Sequence, residues 1–226
     1  MTDDRQKIKN ELMSGPLRPY IEQNTKDPHP YLSTIRRDCL EHKWNFMLTT
    51  PDQVAFLFTL ARSVSAKKIL ELGCYFGHST LAMAAALPPD GKIISIEHNP
   101  KFARAAQEHL AKAGVDPLTE IMIGEAPNLI KTIELNHPPG SFDMVFVDAD
   151  KRHFTEYWES SLRLVRSGGV LVFDNVLCRG DILNDSPSAA SHISAVREFN
   201  SMVKADDRVF SFIATIADGM LVATKR

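Results

Sequence analysis

Four acidic residues, Glu71, Glu97, Asp148 and Asp174, lie at the ends of apolar runs in this chain of 226 residues. The runs are rich in Ile, Val, Leu and Phe, which is typical of strands buried on both faces of a sheet. In an open sheet of parallel strands, ligands gather outside the carboxyl ends of the strands. A single acid at such a place is equally well explained as a helix cap or a solvated loop residue. Four of them at one edge predict a binding site.

Asp148 and Asp174 are candidate metal ligands. Neighbouring parallel strands lie about 4.8 Å apart, so the two carboxylates converge if their strands are adjacent. Asn175 adds an amide oxygen only if the chain leaves the strand after Asp174, because successive side chains of a strand point to opposite faces. Two carboxylates and an amide favour Mg²⁺, Mn²⁺ or Ca²⁺ over zinc. The alternative is an Asp-Asn pair that only forms an Asx turn.

Lys151 follows Asp148 by three residues and is a candidate general base. A lysine beside a divalent cation and partly removed from water can accept a proton from a substrate. Most lysines are solvated surface charges, and that alternative stays open for Lys151. Its position directly after the acidic edge favours the catalytic interpretation.

The turn after the first strand has the pattern Glu71-x-Gly73-x-x-x-Gly77. It lacks the GxGxxG spacing of dinucleotide-binding turns and the lysine of a P-loop, which argues against a cofactor bearing phosphate. Glycines there allow a sharp turn and a close approach of a ligand to the main chain. Glu97, at the end of the next strand, is placed to accept hydrogen bonds from both hydroxyls of a ribose. An adenosine without pyrophosphate fits best, and S-adenosylmethionine is such a molecule.

Strands and helices alternate through the middle of the chain, which predicts an α/β sheet with helices on both faces. Strands are predicted over Lys68–Leu72, Lys92–Glu97, Glu120–Ile123, Phe142–Asp148, Gly169–Asp174, Val209–Ala214 and Met220–Thr224. Helices are predicted over Ser79–Leu87, Pro100–Ala113, Pro127–Leu135, His153–Val165 and Ser191–Val203. The short Asp218-Gly219 connection predicts a terminal hairpin, and hence an antiparallel last strand.

Residues 1–46 form a predicted helical cap on a domain that spans residues 47–226. Helical pieces at Lys7–Met13, Pro19–Gln23 and Tyr31–Lys43 are interrupted by prolines. Thr50-Pro51-Asp52-Gln53 then has the form of a capping box with proline at the first helical position, so that a helix is predicted over Val54–Val64.

Composition excludes few functions. A net charge of -2 gives no general field that would attract nucleic acid or an acidic membrane surface. No apolar run is long enough to span a bilayer, and the polar N-terminus does not resemble a signal peptide. Three widely spaced cysteines fit reduced thiols better than a disulfide framework. We therefore expect a cytoplasmic protein that binds neither nucleic acid nor membranes.

Four segments resemble the motifs of the cation-dependent O-methyltransferases, a family that includes catechol and caffeoyl-coenzyme A O-methyltransferases. The segments are Glu71-Leu72-Gly73-x-Tyr75-x-Gly77-x-Ser79, Val147-Asp148-Ala149-Asp150-Lys151, Asp174-Asn175-Val176-Leu177 and Asp218-Gly219-Met220. The resemblance extends from about Phe46 to the C-terminus. It implies a Rossmann-like, seven-stranded methyltransferase, often a homodimer, that uses S-adenosylmethionine and a divalent cation.

The resemblance also assigns roles to single residues. It places Thr49 and the main chain of Gly73 and Cys74 around the methionine end of the cofactor, with Glu71 and Ser79 beside them, Glu97 at the ribose and Ala126 at the adenine. Asp148, Asp174 and Asn175 would hold the cation, with Asp148 also near the cofactor, and Lys151 would be the base. Two neighbouring hydroxyls of a small aromatic substrate would chelate the cation, and one of them would attack the sulfonium methyl directly. His78 departs from the tyrosine that is common in the family.

The substrate and two other functions stay open at the level of sequence. The required vicinal diol occurs in catechols and in members of the phenylpropanoids and flavonoids. Cys178 and Arg179 stand where the plant enzymes have tryptophan and asparagine, so a coenzyme A thioester is not inferred. A Rossmann-type NAD(P)-dependent oxidoreductase is disfavoured by the glycine spacing. A non-catalytic S-adenosylmethionine-binding protein on the same fold is disfavoured by the complete set of site residues.

Overall fold

The computed structural model describes residues 17–183 and 191–226, and the helix predicted over Lys7–Met13 lies outside them. The helices within these ranges are α1 Leu17–Gln23, α2 Leu32–Leu40, α3 Pro51–Ser63, α4 His78–Ala84, α5 Pro100–Ala113, α6 Ala126–Asn136, α7 Phe154–Leu164 and α8 Ser191–Lys204. The strands are β1 Lys68–Leu72, β2 Lys92–Glu97, β3 Thr119–Ile123, β4 Phe142–Val147, β5 Val165–Asp174, β6 Val209–Ala214 and β7 Met220–Lys225.

The strands form one seven-stranded sheet in the order β3-β2-β1-β4-β5-β7-β6. The first five strands pair in parallel, whereas β7 pairs antiparallel with both β5 and β6. The predicted fold class, with its antiparallel last strand, is therefore confirmed. Because β2, β1, β4 and β5 are successive neighbours, their carboxyl ends form one continuous edge of the sheet.

Both faces of the sheet are covered at its central strands β2, β1, β4, β5 and β7, which explains why these strands read as apolar runs, whereas Phe210 and Phe212 of the edge strand β6 are exposed. Alternate residues of β1 and β4 enter two separate cores, as the period of two in a strand requires. One core contains Leu70, Leu72, Val145 and Val147, and the other contains Ile69, Met144 and Phe146. The middle of the sheet is thus a buried layer between helices.

The segment before β1 belongs to the same packed unit. Leu32, Ile35 and Cys39 of α2 are fully buried in the core that contains Ile69. At the start of α3 the Thr50 N–H donates to Gln53 Oε1 at 2.8 Å, as the predicted capping box requires. No helix in residues 17–183 or 191–226 is long and apolar enough to cross a bilayer.

Element bounds differ from prediction where local geometry is irregular. The strand predicted from Gly169 begins four residues earlier, because Val165 already pairs with Phe142 before a shift of register. Gly168, at φ 73°, lies inside this irregular stretch. The helix predicted over Tyr31–Lys43 ends at Leu40 and is followed by a 3₁₀ turn over Asn45–Met47.

Candidate active site

Two cavities lie at the carboxyl edge of the sheet. The larger cavity, about 570 Å³ in volume, is lined by Thr49, Gln53, Asp148, Lys151, Asp174 and Asn175, among others. The smaller cavity, about 60 Å³, is lined by Thr49, Gly73, Cys74, Ser79, Glu97 and Asp148, among others. Thr49 and Asp148 line both, so the two cavities are neighbours. Ligand pockets usually measure roughly 300–1,000 Å³, and a nucleoside therefore requires the lining of the smaller cavity to open.

Asp148 directly follows β4, Asp174 ends the neighbouring strand β5, and both residues line the larger cavity. Burial raises the pKa of Asp174 well above its usual range, and the charge of Asp148 raises it further. Burial likewise raises the pKa of Asp148, although the nearby Lys151 opposes the shift. Gln53 Nε2 donates to Asp174 Oδ2 at 2.8 Å, and the Asn175 N–H donates to Asp174 Oδ1 at 2.7 Å. Two buried acids that repel each other form a site that favours a cation.

Asn175 turns out of the strand. The backbone of Asn175 has a φ of 56°, and β5 ends one residue earlier, at Asp174. The side chains of Asp174 and Asn175 are therefore not held on opposite faces of a continuing strand. Lys151 Nζ donates to Asn175 Oδ1 at 2.9 Å, and both residues line the larger cavity. The structure thus brings Asp148, Lys151, Asp174 and Asn175 together, as the sequence predicted. Among the described residues there is no group of three or more His, Cys, Asp or Glu side chains that could hold a metal ion. The expected ligand set contains only two such side chains, Asp148 and Asp174, because its third member is an amide.

Glu71 lies beneath the smaller cavity and does not line it. Its fully buried carboxyl accepts hydrogen bonds from the hydroxyls of Ser79 at 2.6 Å, Thr80 at 2.5 Å and Ser95 at 2.5 Å. Burial raises its pKa to about 7, against these three hydrogen bonds, which lower it. Glu71 therefore fixes the turn after β1 from below.

Glu97 lines the smaller cavity and supports the same turn. Its two carboxyl oxygens accept the N–H groups of Tyr75 and Asn99, each at 2.9 Å. Ala126 begins α6 after the third strand and does not line either cavity described above. The loop before it lies beside Glu97, because the Gly124 N–H donates to the Glu97 carbonyl at 3.0 Å.

The two glycines of the turn serve the packing of the protein itself. A Cβ on Gly73 would lie 2.0 Å from the Asp148 carbonyl oxygen, and a Cβ on Gly77 would lie 3.2 Å from the Ala106 Cβ. Both residues have positive φ, 88° and 80°. From the sequence these positions are expected to admit a ligand, whereas the atoms nearest to an added Cβ belong to Asp148, directly after β4, and to α5.

His78 connects the smaller cavity to the segment before β1. Its Nδ1 lies 2.9 Å from Thr49 Oγ1, and its Nε2 lies 3.3 Å from Arg36 Nη1. Arg36 in turn forms an ion pair with Asp27. Burial lowers the pKa of His78 to about 3, and the charge of Arg36 acts in the same direction.

The sequence from residue 22 to 226 matches the family described as O-methyltransferase. The chain belongs to the O-methyltransferase family. The match covers the helices from α2 onward and all seven strands, so the site described above lies within it. The resemblance inferred from the four motifs is confirmed.

Curated relatives of this O-methyltransferase carry two related names. A catechol O-methyltransferase of Niastella koreensis is 38% identical over 77% of this chain and 80% of its own length. Caffeoyl-CoA O-methyltransferase 2 of Zea mays is 35% identical over 96% of this chain and 85% of its own. The chain therefore aligns with members of both subgroups over most of their length.

Solved structures agree with the fold of this O-methyltransferase. The O-methyltransferase TomG of Streptomyces achromogenes, in complex with SAM, has a TM-score of 0.82 at 33% identity and covers 96% of this chain and 98% of its own. An O-methyltransferase of Bacillus cereus, in complex with SAH, has a TM-score of 0.83 at 25% identity and covers 96% and 100%.

Three residues shape the site of this O-methyltransferase in ways that the sequence did not predict. Gln53 was assigned only to a helix cap, yet its side chain also contacts Asp174. His78 was noted only as a departure from a family pattern. Asp218 accepts the Arg179 N–H, and its carbonyl accepts the Leu177 N–H at 3.0 Å, so the terminal hairpin holds the loop after Asn175. The Asp218-Gly219-Met220 motif was the one available signal for this contact.

Proposed function

We propose that the chain is an S-adenosylmethionine-dependent and divalent-cation-dependent O-methyltransferase that methylates one hydroxyl of a small aromatic vicinal diol. The observation that carries the proposal is the placement of Asp148, Lys151, Asp174 and Asn175 around one cavity. That cavity adjoins a second one lined by the turn after β1, and Asp148 lines both. A methyl donor in the smaller cavity and a metal-bound diol in the larger one would be neighbours.

The similar proteins support the cofactor and the substrate class. The TomG structure contains SAM and the Bacillus cereus structure contains SAH, so the same cofactor is proposed here. Relatives named for catechol and caffeoyl-CoA act on hydroxylated aromatic molecules. Catechols, and those phenylpropanoids and flavonoids that carry a vicinal diol, could bind through both hydroxyls to a hard cation held by two carboxylates and an amide. Family membership also favours methyl transfer over the oxidoreductase alternative.

The donor set fits a divalent cation. Loss of hydration raises the pKa of both Asp148 and Asp174, and a neighbouring carboxylate raises each pKa further, Glu97 for Asp148 and Asp148 for Asp174. A cation held by these two residues would favour their ionised forms. All three proposed ligands offer oxygen, which suits Mg²⁺, Mn²⁺ or Ca²⁺. Lys151 already donates to Asn175. Asp148, Asp174 and Asn175 would hold the ion, which when bound would supply positive charge beside the reacting hydroxyl.

The proposed mechanism assigns a task to each residue of the chain. Glu97 would bind the ribose hydroxyls, and Thr49 with the main chain of Gly73 would enclose the methionine end of the cofactor. Lys151 lines the larger cavity beside Asn175, within reach of a hydroxyl held there. The Lys151 amine, held there by its hydrogen bond to Asn175, would take up the proton of that hydroxyl. Holding both reactants in one orientation supplies much of the acceleration.

A methyl-transfer screen over catechols, hydroxycinnamates and flavonoids tests the proposal. The screen is run with Mg²⁺ and after removal of metal with EDTA, while calorimetry follows cofactor binding in the same samples. We expect turnover of at least one vicinal diol with Mg²⁺, none without it, and cofactor affinity within about threefold. Asp174→Asn should behave like metal removal. The matched control is Asp150→Asn, because Asp150 is exposed and pairs with Arg152 outside the ligand set.

Two outcomes would contradict the proposal. Full turnover by protein shown to be metal-free would remove the cation from it, and the absence of methyl transfer to every diol would exclude the substrate class. The homodimer, the cytoplasmic location and the division at residue 46 remain predictions. Sedimentation velocity would test the first of these.

A further inference from the structure

A chain of polar contacts runs from Asp27 through Arg36 and His78 to Thr49. Arg36 donates to both carboxylate oxygens of Asp27, at 2.8 Å and 2.5 Å. The next contacts join Arg36 Nη1 to His78 Nε2 at 3.3 Å and His78 Nδ1 to Thr49 Oγ1 at 2.9 Å. His78 is 1% exposed and Thr49 is 7% exposed, so water does not compete for the contact between them.

The direction of each hydrogen bond follows from the chemistry of arginine. A guanidinium has donors and no acceptor, so His78 Nε2 must accept the proton from Arg36. The lowered pKa of His78 keeps the ring neutral at physiological pH. A neutral imidazole carries one proton, which therefore sits on Nδ1 and is donated to Thr49.

This arrangement leaves the hydroxyl proton of Thr49 available to a ligand. Thr49 Oγ1 accepts from His78, and no described residue accepts from Thr49 in turn. Ser79, the other serine or threonine in the lining of the smaller cavity, already donates its hydroxyl proton to Glu71. The Tyr75 hydroxyl lies 3.0 Å from His42 Nδ1. Thr49 is therefore the hydroxyl of the described lining that is set to donate into the cavity.

We propose that His78, oriented by Arg36, is a positioning residue that makes Thr49 a hydrogen-bond donor to the carboxylate of the cofactor. The inference rests on the proposed function, because it takes S-adenosylmethionine as the ligand. The carboxylate is the anionic acceptor at the amino-acid end of that molecule, whereas the ammonium and sulfonium groups accept nothing. Glu97, an acceptor, is suited to the ribose hydroxyls instead. The segment that carries Arg36 thus acts on the cofactor through His78.

Two substitutions of His78 separate this role from simple packing. The amide nitrogen of Asn corresponds in position to Nδ1, and that of Gln corresponds to Nε2. His78→Asn therefore keeps a donor beside Thr49, while His78→Gln leaves that position empty. Binding is measured by calorimetry without substrate or metal, using S-adenosylhomocysteine and 5′-methylthioadenosine, which lacks the amino-acid end.

We expect His78→Gln to weaken S-adenosylhomocysteine about tenfold, the size of one hydrogen bond to a charged group. His78→Asn should stay within about threefold of wild type, and methylthioadenosine should bind all variants alike. Thr49→Val should reproduce the loss, and His78→Gln should add nothing to it. Nitrogen NMR of the wild-type ring should show the Nδ1–H tautomer, a measurement that requires no variant to fold.

The results that would overturn the inference are distinct from those that would overturn the proposed function. An Nε2–H tautomer, or an equal loss for both ligands in His78→Gln, would refute the role of His78. Wild-type protein that binds neither ligand would refute the cofactor assignment itself, and the NMR result would still decide the His78–Thr49 hydrogen bond.

Discussion

Replacing Gly73 with alanine should damage the protein much more than replacing Gly114. Both glycines have a left-handed backbone, at φ 88° and 76°. A Cβ on Gly73 would lie 2.0 Å from the Asp148 carbonyl oxygen, whereas a Cβ on Gly114 would meet no atom within 4 Å. Gly114→Ala is therefore a matched control that adds the conformational cost without the collision.

The loss of folding stability depends on the backbone strain and on the atoms that an added Cβ displaces. Left-handed backbone costs a residue with a Cβ about 1–2 kcal/mol, and both variants incur that cost. At Gly73 the neighbours are tied down on both sides, because the Gly73 N–H donates to Ile96 and the Asp148 N–H donates to Leu72, each at 2.8 Å. Relieving the overlap then costs about 1–3 kcal/mol more. Gly73→Ala should lose about 2–5 kcal/mol in total, while Gly114→Ala loses about 1–2 kcal/mol.

Urea denaturation with matched thermal melts measures the difference. At about 2–4 °C per kcal/mol for a chain of this size, Gly73→Ala should melt roughly 2–12 °C below Gly114→Ala. Because Asp148 must shift, S-adenosylhomocysteine should also bind Gly73→Ala more weakly and Gly114→Ala normally. Equal stability losses in the two variants would refute the reasoning, since they would mean that the strand ends absorb the extra carbon.

Three further predictions concern the site. Lys151→Met should lower kcat by about 10²–10⁴-fold through loss of the base, with cofactor affinity unchanged. Arg152→Met, at an exposed neighbouring residue, is the control. Equal kcat values for the two variants would remove Lys151 from catalysis. Gln53→Leu removes the donor to Asp174 and should raise the Mg²⁺ concentration needed for half-maximal turnover about 10–100-fold; an unchanged midpoint contradicts this. Glu71 has its folded pKa raised from 4.5 to about 7, so its contribution to stability is present below pH 4.5 and is lost as pH rises through 7. The stability advantage of wild type over Glu71→Gln should therefore shrink between pH 5 and pH 8 in urea titrations. An advantage that grows with pH would contradict this, because it would show that the folded protein holds an ionised carboxylate with its three hydroxyl donors.

The sheet was predictable because each strand carries its own signal. The apolar runs of β1, β2 and β6 are bounded by polar or turn residues, and their limits were predicted correctly. Strand polarity alone was then enough to place Glu97, Asp148 and Asp174 at one edge. The start of β5 was wrong because an irregular pairing around Gly168 leaves no periodic pattern in the sequence.

The contacts within the site were not predictable, since they join residues far apart in the chain. Gln53 and Asp174 are separated by 121 positions, and Thr49 and His78 by 29. Neither pair has a spacing that a local pattern can report. Glu71 was expected beside the cofactor, but its burial beneath three hydroxyls depends on how β1, β2 and α4 pack.

The packing of α2 limits how the chain can be shortened. A fragment that starts at residue 47 would look like a complete catalytic unit by its motifs. It would nevertheless expose the core surface that Leu32, Ile35 and Cys39 cover in the intact chain, all three being fully buried. It would also remove Arg36, and with it the partner of His78. Expression trials and domain fusions of this O-methyltransferase should therefore begin upstream of Asp27, because the catalytic motifs alone do not mark the boundary of the folding unit.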